Sequence, residues 1–589
     1  MATATLPKVI PGGHFLLENA APEDVFTPED FSDEQKEIAR TTAEFAEKSI
    51  TPRIAEIEAK NFAVTRELLL EAGKLGLLSV DIPEEYGGLA MDKVTSALIS
   101  DRIAVSASFS VSFSGHTGIG TLPVIWYGTP EQKAKYLPKL ASGEWIAAYA
   151  LSESSSGSDA MNIRARARLS ADGKQYVLDG EKMWISNAGF ADLFIVFAKI
   201  DGEKFSAFLV ERNTPGLTIG AEEHKLGIRG SSTCPLVLSN CTIPAENLLG
   251  EAGRGHHIAF NILNVGRYKL GAATLGGARY ALRNAVKYGK QRMAFGKPIT
   301  SFGLIQEKIA DSAAGIFAGE ALVYRVVGAI DAALSTLAPD APASEVQKKI
   351  EDYAVECSIV KVWCSEMLER AVDHSVQIYG GYGYVEEYPA ERNYRDSRIN
   401  RIFEGTNEIN RLIITGFLLK RAMQGRLPLL PAIGKVMDEV MAGPSAREEA
   451  SGTLAAEKAL LASAKKLGLF CSGAASQKYP TNLQDQQEIM GALADILIEI
   501  LVMESAILRA EKFQGRSAIA VQLAQLSAAR SFRIIQDSAE RVLGAVAGGD
   551  MLRTQMAIFR RLAKHEPTNT VAIGRGVAEE MIAAERYTM

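Results

Sequence analysis

Glu404 stands between Phe403 and Gly405, directly ahead of a helix led by Thr406 and Asn407. A carboxylate beside an aromatic ring and a flexible glycine can be partly desolvated, which raises its pKa toward the range useful for a base. The same spacing also fits a glutamate stabilised by a helix macrodipole, and spacing alone favours that reading. Farther upstream, the run from Tyr149 to Asp159 leaves a strand for a loop dense in hydroxyls, with Ser152, Ser154, Ser155, Ser156 and Ser158 around Gly157. Such a loop suits backbone N–H and serine contacts to a polar ligand, although alone it reads first as a serine-rich turn. Trp184 and Ser186 lie two apart on a strand and so share a side. A planar ring system could stack on the indole and be hydrogen-bonded by the hydroxyl; a buried core tryptophan is the alternative.

Other chemistries lack their residues. No complete GxGxxG and no GxxxxGKS/T occurs, so neither a Rossmann dinucleotide fold nor a P-loop is supported. The seven histidines include the pair His256 and His257 but no HExxH spacing, and no metal is expected. Cys234, Cys241, Cys357, Cys364 and Cys471 form no CxxC pair, and an odd count in a long chain fits a reducing compartment. With 64 Lys+Arg against 70 Asp+Glu the formal charge is −6, so there is no excess cation for nucleic acid and no such partner is expected. The first residues lack a cationic start and an apolar core, and Glu18, Glu23, Asp24, Glu29 and Asp30 argue against an Arg-rich transit peptide. The most apolar stretch, Ile489 to Ala510, carries Asp495, Glu499 and Glu504, which argues against a membrane span. The expectation is a soluble, cytoplasmic protein.

The elements that must position these residues follow from periodicity. At 589 residues the chain is expected to hold three to five domains. After an N-terminal extension over 1–30, helical spacing dominates 31–144. The period changes to two over 145–254, which predicts a compact antiparallel β-domain. Helical periodicity returns over 255–420. Gly425, Pro428, Pro431, Gly443 and Pro444 mark a linker over 421–453, and 454–589 reads as four or five helices. The predicted fold is a multidomain α+β assembly with an extra all-helical domain at its C-terminus.

Taken together, the segments Leu151 to Ala160, Met183 to Asn187, Arg292 to Pro298, Gln377 to Gly381 and Phe403 to Asn407 resemble the acyl-CoA dehydrogenase family over about 31–418. The run Phe260 to Arg267 and the C-terminal helices resemble the very-long-chain branch and its bacterial relatives. The resemblance implies the family fold, FAD as cofactor, and oxidation of the Cα–Cβ bond of an acyl-CoA to a trans-2-enoyl-CoA. It places the catalytic base at Glu404, with the thioester carbonyl bound by that residue's own backbone N–H and a flavin hydroxyl. Tyr149 through Ser158 would line the flavin, with Leu151 and Ser152 at its pyrimidine end, Trp184 beside the ring and Ser186 near N5. Arg292, Phe295, Gln377 and Gly381 would reach across a subunit interface to the FAD pyrophosphate and adenosine, so that FAD binding needs a homodimer. Thr406 and Glu408 would touch the same cofactor. Ser158, Asn264, Arg267 and Gly405 match substrate positions, with Arg267 near a CoA phosphate or the adenosine. The acyl chain would run past Gly115, Gly118 and Gly120, which otherwise read as helix-packing glycines. Electrons would pass to an electron-transfer flavoprotein in fatty-acid β-oxidation; an acyl-CoA oxidase or a non-catalytic scaffold are the competing readings.

The tail after Gly425 is too apolar to stand in water alone, as Ile496, Leu497, Ile500, Leu501 and Met503 show. By resemblance it would cover the face that pairs dimers into tetramers in shorter relatives. The rival is weak peripheral membrane association through Ile433, Val436, Met437, Val440 and Met441.

Overall fold

A computed structural model describes residues 7–338, 341–442, 452–513 and 516–589. Helices open where local chemistry satisfies their first N–H groups. Ser32 and Gln35 form a capping box at α1 (Asp33–Phe45), Asp92 caps α2 (Lys93–Arg102), and Ser106 caps α3 (Ala107–Ser114). A π-helical turn, Gly115–Gly120, continues from α3.

The β-domain carries strands β1 (Ala147–Ala150), β2 (Arg166–Leu169), β3 (Gln175–Ser186), β4 (Leu193–Ile200), β5 (Lys204–Glu211), β6 (Leu217–Ile219), β7 (Thr233–Pro244) and β8 (Leu248–Leu249). They form one sheet in the order β6-β7-β3-β2-β4-β5-β8, with β1 also on β4. The expectation of a purely antiparallel domain is corrected here: β1 and β2 both run parallel to β4, while the remaining ladders are antiparallel. The alternating pattern of a hairpin reports burial, not strand direction, so these two pairings were invisible in it. A β-bulge breaks the β3–β7 register between Lys182 and Ile185.

The second helical layer holds α4 (Gly255–Gln291), α5 (Gly303–Leu334), α6 (Ala354–Tyr379) and α7 (Asn407–Met423). Between α4 and α5 a short hairpin pairs β9 (Met293–Ala294) with β10 (Lys297–Pro298). Among the described residues only α5 is long and apolar enough to cross a membrane, and it lies in the centre of the core, with Phe317, Leu322 and Val327 fully enclosed.

The span read as a linker, 421–453, contains a helix, α8 (Leu429–Met441); Gly443 and Pro444 lie outside the described residues. Val436 and Val440 are buried and Gly473 leaves room for Ile433, so α8 packs its apolar face on α9 (Ala455–Lys478). Met437 stays exposed, and the side chain of Met441 is outside the described set. Most of the stripe that could have faced a bilayer is therefore turned inward.

The C-terminal extension continues with α10 (Gln487–Lys512), α11 (Ala518–Val546), α12 (Gly549–Leu562) and α13 (Thr570–Ala584). Helix α10 packs on α5 and α7 of the core and on α9 and α11 of the extension. The acids that argued against a membrane span fix its docking: Asp495 pairs with Arg411 at 2.7 Å, Glu504 with Arg325 at 2.7 Å and Lys465 at 2.6 Å, and Glu499 accepts from Ser531 at 2.6 Å.

Candidate active site

The chain turns sharply between a 3₁₀ turn, Arg398–Arg401, and α7. Glu404 and Gly405 take successive left-handed conformations, with φ of 59° and 80°, before the Thr406 hydroxyl caps α7 by accepting from the Ile409 N–H. For glutamate that backbone is strained, and a strained non-glycine residue persists only where its surroundings hold it. Here the hold is explicit. Lys361 Nζ donates to the carbonyl of Gly405 at 2.7 Å and to Asn407 Oδ1 at 2.7 Å. Asn410 donates to the carbonyls of Gly405 and Thr406 at 2.8 and 3.0 Å. Arg267 donates to the carbonyl of Glu404 at 3.4 Å and to Asn264 Oδ1 at 3.0 Å.

Both cations therefore grip main-chain oxygens and leave the carboxylate free. Among the described residues, Glu404 Oε2 is buried without a hydrogen-bond partner. Burial pushes this carboxyl up to about 7, and the charges of Arg267 and Lys361 only partly counter it. Burial likewise lowers Lys361, to about 7. Gly266 makes room for the acid, since a Cβ there would stand 2.6 Å from Oε2. The expected dipole-stabilised glutamate does exist, but four residues later: Glu408 is exposed in the first turn of α7, and a backbone N–H lowers its pKa.

Glu404 opens on a cavity of about 140 Å³ whose lining includes Ser186, Gly115, Gly118, Gly266 and Gly277. Gly120 is absent from it; a Cβ there would meet Ala147 at 2.7 Å, so this glycine serves packing. From Gly266 to Gly277 the lining follows α4 for about 16 Å at 1.5 Å per residue.

Ser186 brings the β-domain to the same cavity. Beside it Trp184 sits at the bulge with φ of 59° and 56% exposed, which excludes the core-tryptophan reading. The bulge turns the indole outward on the strand that carries Ser186. Tyr149 presents a buried hydroxyl without a partner among the described residues, and burial and the neighbouring Glu404 raise its pKa well above 10. The serine loop is anchored from beneath: Glu153 accepts from Lys182 Nζ at 2.7 Å and from the N–H groups of Arg164 and Ala165. Ser152 accepts the Met183 N–H at 2.9 Å, joining loop and strand, while Ser158 is exposed at the loop's far side and Leu151 is nearly enclosed. An outward aromatic face, a hydroxyl beside it and an unpaired phenol fit a planar, polar-edged cofactor such as a flavin.

Arg292, Phe295, Gln377 and Gly381 lie on the surface. Arg292 stacks over Tyr382 at 5.6 Å, and Phe295, at the tip of the β9–β10 turn with φ of 51°, is 94% exposed. Two expected substrate contacts need correction. Arg267 is only 6% and Asn264 only 4% exposed; Asn264 accepts from Arg267, which also donates to the carbonyl of Glu404. Arg267 consequently supports Glu404 from within and offers no surface to a CoA phosphate. Gly405 likewise belongs to the turn, its carbonyl already occupied. Lys361, Asn410 and Gly266 were missed; the one available signal was a lysine inside the apolar run Ile359 to Val362.

Comparison with known proteins accounts for nearly the whole chain. The acyl-CoA dehydrogenase N-terminal domain matches 32–144, the middle domain 148–241, one C-terminal domain 253–419 and a second 463–561. A probable acyl-CoA dehydrogenase of Bacillus subtilis is 47% identical over 585 residues, covering 98% of each chain. The crystal structure of an acyl-CoA dehydrogenase complexed with FAD from Bacillus anthracis superposes with a TM-score of 0.96 at 48% identity, covering 98% of this chain and all of that one. The human mitochondrial short-chain specific enzyme is 39% identical over 388 residues, covering 65% of this chain and 89% of its own. With its residues, its fold and these relatives in agreement, this chain belongs to the acyl-CoA dehydrogenase family and is an FAD-dependent acyl-CoA dehydrogenase.

Proposed function

We propose that the substrate is a long-chain acyl-CoA, of about C12 or more, and that the enzyme serves fatty-acid β-oxidation with an electron-transfer flavoprotein as acceptor. The observation that carries the base assignment is the unpartnered Oε2 of Glu404 at the head of the cavity. That oxygen takes the proton from Cα, while the bound FAD supplies an acceptor for the hydride leaving Cβ. An α-CH of a thioester is a weak acid, so the base succeeds only if the carbonyl oxygen is bound at the same time. Lys361, Asn410 and Arg267 hold the peptides on either side of Glu404, which keeps the residue's own N–H in one place for that oxygen.

Chain length is supported by the course of the cavity lining, which follows α4 for about 16 Å, close to the extended length of a dozen carbons; at about 140 Å³ the cavity must widen along that course as the chain enters. Each additional buried methylene contributes about 0.8 kcal/mol. A series of acyl-CoA substrates assayed with an artificial electron acceptor tests this; a maximum at butyryl- or isovaleryl-CoA would refute it. The exposed Phe295 and Arg292 support a homodimer in which each subunit completes the other's FAD site, and α10 already covers the α5 and α7 faces. Light scattering should give a dimer, and a tetramer would overturn the covering role of the extension. Reduced enzyme reoxidised by oxygen as fast as by electron-transfer flavoprotein would favour the oxidase reading.

A further inference from the structure

A second cleft, of about 600 Å³, lies where the extension meets the core, between α5, α6, α11 and α13. Its size falls within the roughly 300–1,000 Å³ range of small-molecule sites. The charged groups lining it are Arg370, Arg530, Arg533 and Arg575 against Glu307 and Asp311, a formal balance of +2 on a chain whose total is −6. Asp311 is committed to Arg530 at 2.9 Å and to His374 at 3.1 Å.

The other three guanidinium groups have no carboxylate within ion-pair distance among the described residues. Arg370 donates to the carbonyl of Glu366 at 3.2 Å and lies 6.0 Å over the ring of Trp363, itself in the wall. Among the described residues Arg533 donates only to the carbonyl of Ala529, at 3.2 Å. Arg575 reaches across from α13 until its Nη2 is 3.8 Å from where a Cβ on Gly303 would be. Burial lowers the pKa of Arg370, and the facing Arg530 adds to the effect, a like-charge conflict that an anion would relieve. Arginine forks match the paired oxygens of phosphate, and Trp363, Leu526 and Val571 add apolar wall for an attached ring.

We propose that this cleft binds a phosphate ester of the nucleoside diphosphate type, held jointly by core and extension. The ligand is a free nucleotide: the guanidinium groups meet its phosphates and Trp363 its ring.

The test compares wild-type holoenzyme with the double variant Arg533→Glu/Arg575→Glu, and with Arg533→Gln/Arg575→Gln should charge reversal prevent folding. Titration calorimetry with ADP and with inorganic pyrophosphate, together with FAD affinity, gives the readouts. A free-nucleotide site binds one ADP per chain, competed by pyrophosphate, at least tenfold more weakly in the variant and with FAD content intact. A holoenzyme that does not respond to ADP while the variant binds FAD at least tenfold more weakly would assign the cleft to the flavin and overturn the proposal; Arg292→Ala, measured in parallel, gives the FAD loss expected of a flavin contact. Ligand affinities unchanged by both double variants, or no binding of either probe with FAD affinity within threefold of wild type, overturn the proposal.

Discussion

Two buried acids, Glu320 at the junction of core and extension and Glu404 at the catalytic turn, meet opposite fates. Glu320 accepts from Arg279 at 2.5 Å, Arg509 at 2.8 Å and the Tyr587 hydroxyl at 2.9 Å. Burial would push its carboxyl up, but Arg509 and Arg279 more than offset this and hold it below the usual range. Glu404 also has two cations nearby, yet both spend their hydrogen bonds on carbonyls, and burial prevails. What separates an acid held ionised from one able to take a proton near neutral pH is thus where the neighbouring donors point.

Removing the catalytic oxygen should have the largest effect. Glu404→Gln is nearly isosteric but cannot take the proton, so flavin reduction by substrate should fall by about 10²–10⁴-fold or more with FAD still bound. Anaerobic stopped-flow measures it, and a rate within tenfold of wild type would move the base elsewhere. The same variant should be stabilised at alkaline pH. Glu404 is held near 7 against an ordinary 4.5, so between those values the folded chain binds more protons than the unfolded, and stability falls as pH rises across the window. The variant should therefore melt above wild type beyond pH 7, with the difference fading toward pH 4.5.

The junction should respond in stability and not in chemistry. Arg509, 1% exposed, also binds Glu29 at 2.9 Å, and Arg509→Met leaves two acids short of a partner. Breaking such a buried pairing costs about 3–5 kcal/mol. Chemical denaturation reads the loss, and an unchanged midpoint would show that Arg279 and Tyr587 suffice for Glu320.

A smaller effect is expected at Gly266→Ala, whose methyl would displace Glu404 Oε2 from 2.6 Å. A misplacement of about 1 Å costs up to about 10²-fold in rate, here with FAD content unchanged. Wild-type turnover from this variant would mean that the carboxylate has room to spare. The smallest effect concerns Lys361→Met. Its charge lowers the Glu404 pKa and its ammonium holds the Gly405 carbonyl, so its loss should move the acid limb of the pH–rate profile above 7 and lower the alkaline plateau by less than Gly266→Ala does. An acid limb that stays put would show that the lysine serves the turn alone.

Much of this was legible beforehand because periodicity and local words survive in one dimension. The helical, β, helical order followed from the change of period between 31–144, 145–254 and 255–420, and the motifs around Trp184, Arg292 and Glu404 carried the family resemblance. The parallel pairing of β1 and β2 with β4 was not legible, because it depends on strands distant in sequence. Helix α8 was legible in part: Ile433, Val436, Met437, Val440 and Met441 fall at helical spacing, but Pro431 reads as a breaker, although it falls in the first turn, where a missing N–H costs little.

By itself, then, the sequence determined the family and the cofactor and singled out Glu404 as the candidate base, since the words that carry the resemblance are residue types at short spacing. Only the tertiary structure decided what each charge does. Arg267 on α4, Lys361 on α6 and Asn410 on α7 meet at one strained turn, with Asn264 accepting from Arg267 behind it, and their donors reach its carbonyls without touching its carboxylate. Spacing along a chain cannot encode that direction, because a hydrogen bond depends on distances and angles between groups that folding alone brings together.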